Sequence, residues 1–244
     1  MKRSLNRDMI KMLAVIAMTL CHISQVFMLP AGAGQVMRCM GSFTAAAMCW
    51  FVTEGVEKTS SPMNYARRLM TFAVLAQIPY CLAFTRDRII SWQGLNMIYS
   101  LLMVFLMVFF LDTEPDRKWR IIYTAAAAAA SLAGDWSPWL MLFTLLFMWA
   151  GKDRIKMQLS FLAGFLIYSG SVCIHRCLFG EGILKAVSGA AAEGAGILLA
   201  GCLICFFYNG KRGKFPRLGK WFFYIYYPVH LMVLGIIRIL LMRG

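Results

Sequence analysis

The stretch DMIKMLAVIAMTLCHISQVFML, residues Asp8–Leu29, decides the class of fold. At about 1.5 Å per residue it is long enough to cross the roughly 30 Å hydrocarbon core of a bilayer. Yet it carries Lys11 near one end and His22 well inside. Eleven residues at about 100° each bring a helix round to within roughly 20° of its starting face. Lys11 and His22 therefore share one stripe, about 16 Å apart along the axis. Asp8 falls near the same stripe, and Val15 and Met18 lie between the two bases. Polar groups aligned on an apolar helix call for a reason.

The rest of the chain sets that helix in context. Of its 244 residues, 60% are hydrophobic and only 15% charged, where a soluble domain carries about 25%. The charges cluster between long apolar runs that do not alternate, so a β-barrel is excluded and an all-α polytopic membrane protein is expected. The net charge of +14 does not point to nucleic acid, because the basic residues sit at the ends of apolar segments. Among the eight cysteines, Cys202-x-x-Cys205 lacks a second ligand pair and Cys173-Ile-His175-Arg-Cys177 is a weak motif, so no metal site is expected. The first run is too long, and too interrupted by Lys11, to be a cleaved leader.

Nine spans are expected, at roughly 9–29, 39–55, 65–85, 95–111, 119–134, 136–150, 156–176, 183–207 and 221–241, the fifth and sixth forming a tight hairpin at 134–138. With the N-terminus inside, eighteen of the twenty-five Lys and Arg fall on the inner side, which favours N-in, C-out. No Pro-, Ser- or Gly-rich linker divides the chain and no extended repeat is visible, so residues 1–244 read as one domain.

Few ionisable groups lie within the spans. His22 is open to two readings, a neutral imidazole bonded to a neighbouring helix or a general base in a water-accessible pore. His230 follows Pro228 in the last span, where proline kinks the helix; the same segment carries Tyr224 and Tyr227, which also suit the membrane interface. The loop at Tyr208, Asn209, Gly210, Lys211, Arg212 and Gly213 combines flexible backbone with cations, as phosphate binding requires and as the inner-side excess of positive charge would also place there. Glu54, Arg67 and Arg68 share the level of Lys11, either as an ion-pair cluster at an entrance or as ordinary span-end charges. On the outer face Asn96, Tyr99 and Asp135 are candidates for contact with an acceptor.

Several stretches together resemble the TraX family, membrane proteins associated with N-terminal acetylation of pilin. They are Asp8-x-x-Lys11-x-x-Ala14-x-x-x-Met18-x-x-x-His22-Ile23, Glu54-Gly55-x-x-x-Thr59, Tyr65-x-x-Arg68-Leu69, Gln77-Ile-Pro-Tyr80, Asn96, the loop Tyr208–Gly213 and the segment Lys220–Leu231. Lys11-x10-His22 is also similar to the basic-x10-His pattern of acyltransferase-3 type membrane enzymes. The resemblance implies transfer of an acyl group from an acyl-CoA thioester, acetyl-CoA as co-substrate, across a bacterial-type inner membrane to an amine or hydroxyl of an acceptor: a protein terminus, a glycan or a small molecule. It further implies CoA phosphates held by Lys11, Arg68, Lys211 and Arg212, a base at His22, and an oxyanion stabilised by His230 or Tyr227. Two positions depart from the family pattern: Cys21 stands where an Asp precedes the histidine, and Ser42 where an Arg follows Gly41. The alternatives are a non-catalytic membrane factor assisting assembly of a surface structure, and a solute transporter, which the lack of repeats disfavours.

Overall fold

A computed structural model describes residues 4–86, 88–213 and 216–243, the side chains of 31, 216–220 and 243 apart. Among them nine α-helices follow in order: α1 (Arg7–Phe27), α2 (Ala31–Lys58), α3 (Pro62–Phe84), α4 (Met97–Thr113), α5 (Arg117–Ser131), α6 (Trp139–Ala150), α7 (Arg154–Leu178), α8 (Ile183–Cys202) and α9 (Pro216–Arg243). A π-helical turn, Leu203–Phe207, continues α8. One helix answers to each expected span, and the protein is an all-α polytopic membrane protein. Among the described residues five helical stretches are long and apolar enough to cross a membrane: Arg7–Phe27, Gly32–Lys58, Arg154–Leu178, Ile183–Phe207 and Trp221–Met242. Helices α5 and α6, of 15 and 12 residues, reach only about 23 and 18 Å.

Local chemistry explains where helices begin. Asn6, Asn96, Asp116 and Asp153 each cap a first turn by accepting a backbone N–H, at 2.7–3.4 Å. The second helix departs from the expectation. It starts at Ala31 rather than at 39, directly after Pro30, and so takes Gln35 and Arg38 into the helix. Hydropathy puts Arg38 in an outer loop; a partner on another helix holds it instead.

The chain forms two compact units, residues 1–48 with 145–216, and 49–144 with 217–244. In the first unit, α1, the start of α2, α7 and α8 approach closely because small residues line their contacts. A side chain at Gly196 would run into the Cys39 carbonyl and the Ser42 hydroxyl, one at Gly194 into Ser169, and one at Gly201 into the Phe161 ring. Thr44 Oγ1 donates to the Ala14 carbonyl at 2.9 Å, tying α2 to α1. In the second unit, Cys49 Sγ and Thr144 Oγ1 meet at 3.2 Å between α2 and α6, and Gly235 on α9 packs against Leu82 on α3. Asn96 is fully buried, and its amide nitrogen donates to Ala73 O at 2.7 Å and Gln77 Oε1 at 2.9 Å while its oxygen caps α4.

Candidate functional site

Helix α1 carries the expected stripe. Val15, Cys21 and His22 are buried, with His22 only 8% exposed. At the Lys11 end, the chain after the π-turn folds back along the N-terminal segment. Leu5 N donates to Phe207 O at 3.1 Å, Asn209 N to Leu5 O at 2.9 Å, and Arg7 N to Lys211 O at 2.9 Å. Asn209 Oδ1 accepts from Lys211 N at 2.9 Å and Gly210 takes a φ of +75°, so this turn needs both residues as they are. Gly213 lies directly against the Asp8 carboxylate. The exposed cations Lys211 and Arg212 are thus fixed beside the first turn of α1, one turn from Lys11. Three of the four expected phosphate-contacting residues, Lys11, Lys211 and Arg212, thus lie at this end of α1 together with Asn209 of the same loop.

At the His22 end, the structure assembles a group that hydropathy passes over. Glu193, ten residues into α8, places Oε2 at 3.0 Å from Arg176 Nη2 on α7 and 3.3 Å from Arg38 Nε on α2. Its Oε1 accepts from the Tyr168 hydroxyl at 2.9 Å. Arg176 also pairs with Glu181 at 3.5 Å, and its guanidinium lies on the backbone of α8 at Gly189, where any side chain would overlap it. Counted from the helix ends on that side, His22, Arg38, Tyr168 and Glu193 lie about 8 to 15 Å deep. Tyr168 is within electrostatic reach of Cys21, the residue before the histidine.

The position that departs from the family pattern on α2 gains a physical reason here. Ser42 Oγ donates at 2.6 Å to the Glu193 carbonyl and at 2.9 Å to that of Cys39, facing Gly196 at the closest approach of α2 and α8. An arginine has no room there. The guanidinium comes instead from Arg38, one turn earlier. A charge within a Gly/Ala-rich apolar run was the one signal that could have revealed Glu193 from the sequence.

The remaining candidates lie in the second unit. Glu54 pairs with Lys58 along α2. Arg68 sits 5.5 Å from the Tyr65 ring centre, with its Nε buried and unpaired, and Tyr65 packs under Gly55. His230 Nδ1 is 2.9 Å from the Tyr226 carbonyl; because that oxygen only accepts, Nδ1 carries the proton. Tyr227 Oη accepts from Met97 N at 3.3 Å, at the start of α4. Asp135, in the connection between α5 and α6, is within electrostatic reach of the Tyr80 and Tyr227 hydroxyls. Burial pushes its carboxyl up from 3.8 to about 6, against a hydrogen bond from Trp136 N that works the other way. Among the described residues no group of His, Cys, Asp and Glu could hold a metal ion.

The profile of a family described as TraX protein matches residues 6–238. The chain is 28% identical over 236 residues to the probable fimbrial assembly protein FimC, serogroup H1, of Dichelobacter nodosus, with 92% of each chain covered. No solved structure matches.

Proposed function

The chain belongs to the TraX family, and from that membership we propose that it is an inner-membrane acyltransferase acting in the assembly of a surface fibre. The acyl donor is acetyl-CoA, bound at the Lys11 end, which faces the cytoplasm. The observation that carries this reading is the order along α1: cations gathered at one end and a buried imidazole at the other, on one stripe.

Lys11, Lys211 and Arg212 offer their charges to the nucleotide phosphates. The roughly 16 Å from Lys11 to His22 is a span that the extended pantetheine arm can follow. The acceptor amine or hydroxyl gives its proton to His22 and attacks the thioester carbonyl. The tetrahedral oxyanion that forms calls for polar hydrogens to stabilise it. Its collapse breaks the carbon–sulfur bond, and the CoA thiolate takes the proton back from His22. The acceptor gains the acetyl group and the enzyme is restored.

The test uses membranes containing the full chain and acetyl-CoA labelled in the acetyl group. His22→Ala abolishes transfer at unchanged protein level, and Lys211→Ala with Arg212→Ala lowers the acetyl-CoA retained by the purified protein in mass spectrometry. The name of the Dichelobacter relative speaks of assembly and not of transfer. A non-catalytic assembly factor, the second reading, predicts no retained acetyl-CoA and no effect of His22→Ala on labelling.

A further inference from the structure

Arg238 lies within Trp221–Met242, a stretch apolar and long enough to cross a membrane, and is only 6% exposed. A guanidinium in such a place needs partners. It finds them on the connection between α3 and α4. Nη1 donates to Arg86 O at 3.4 Å and to Arg88 O at 3.2 Å, and Nη2 donates to Arg88 O at 3.2 Å and to Ile89 O at 2.8 Å. Carbonyl dipoles solvate a charge but do not cancel it. Nε is buried and has no acceptor.

The loop so held is also closed from within, since Thr85 Oγ1 donates to Cys81 O at 2.6 Å and accepts from Ser91 N at 2.7 Å. On this fixed backbone Arg86 and Arg88 are exposed, and with Thr85, Ser91 and Gln93 they line a cavity of about 360 Å³. That is the size of a small-molecule site, roughly 300–1,000 Å³. Among the described residues none of the three arginines is paired with a carboxylate. Asp87 lies outside the described residues; counting its charge, the three arginines still leave an excess of two.

We propose that this cavity binds the phosphate of an anionic phospholipid headgroup. Guanidinium groups match phosphate oxygens in geometry and charge, and Ser91 and Gln93 add neutral donors beside them. The rim decides between a lipid and a free anion. Ile89, Ile90 and Trp92 are 59%, 47% and 69% exposed, on the same loop as the cations. Uncovered Ile and Trp beside Arg is the composition of a segment lying at the boundary of headgroups and acyl chains. In the nine-span topology with the N-terminus inside, the loop meets the outer leaflet. The site is independent of acetyl transfer and stands whether or not the chain is an enzyme.

The test is thermal unfolding of the full chain in maltoside detergent at constant ionic strength. Phosphatidylglycerol, phosphatidylcholine or sodium phosphate is added, and native mass spectrometry counts the lipid retained. Phosphatidylglycerol is expected to raise Tm. Arg86→Gln with Arg88→Gln is expected to weaken its binding about tenfold or more, as loss of two charged hydrogen bonds implies. Arg117→Gln with Lys118→Gln removes the same charge from an exposed site elsewhere and leaves binding as in the wild type. Equal weakening in both double variants means diffuse attraction to a basic protein and overturns the proposal. So does binding that ignores the Arg86 and Arg88 substitutions, or phosphatidylcholine acting as well as phosphatidylglycerol. A Tm rise with sodium phosphate that blocks the lipid's effect reassigns the cavity to a free anion and overturns the lipid assignment. Should the Arg86 and Arg88 pair not fold, Arg88→Gln alone decides.

Discussion

Asp135 joins a backbone role to a titratable one. Its main chain ties the α5–α6 connection to the start of α4, with its N–H on Leu95 O at 2.8 Å and its carbonyl accepting from Ser100 Oγ at 2.6 Å, while its carboxyl is held up to about 6. The folded protein keeps this proton until about pH 6, whereas an unfolded chain loses it near 3.8. The stabilisation is complete below the lower value and is lost as pH rises through the upper one. Thermal melts in detergent are therefore expected to fall between pH 4 and 7, and Asp135→Asn, which still accepts from Trp136 N, to flatten that slope. Legibility at this scale depended on whether a partner lay nearby in sequence. Lys11 and His22 could be read together because one helix carries both. Asn96 read as an outward contact, yet its amide is fully engaged with Ala73 and Gln77, on a helix the sequence gives no means of pairing with it. Glu193 went unseen because its three partners lie on α2 and α7.

Helices were legible as elements because apolar runs of membrane-spanning length have few other uses. Their close contacts were not, since a glycine in a span does not name the helix it meets. Gly196 is the sharpest case: it faces the Cys39 carbonyl and Ser42 on α2, and backbone cannot yield as a flexible side chain can. Gly196→Val is expected to cost more than the roughly 1–3 kcal/mol of ordinary overpacking. Pulling α8 from α2 also removes the Ser42 hydrogen bond to Glu193. Limited proteolysis of the variant should cut residues 145–216 faster than in the wild type; an unchanged digestion pattern refutes the contact. The early start of α2 belongs to the same lesson. Arg38 ends an apolar run in any hydropathy count, but the salt bridge to Glu193 lets the helix begin at Ala31.

At the scale of the molecule, the charge bias between the two sides and the nine helices among the described residues together predict an N-terminus inside and a C-terminus outside. A phosphatase fused after Gly244 should be active only if that end is exported, and a cytoplasmic reporter silent there; the reverse pattern excludes the topology. The first unit has a further property, because its two segments are separated by most of the second. Ser42 and Arg38 emerge from the ribosome with the first helices, whereas their partner Glu193 follows Ser42 by 151 residues. At about 5–20 residues per second this is a delay of roughly 8–30 s. Throughout that interval a lone guanidinium must be kept from open lipid, by snorkelling to the headgroups or by the insertion machinery. The Arg38 site is thus completed only when the carboxylate of Glu193 has been made.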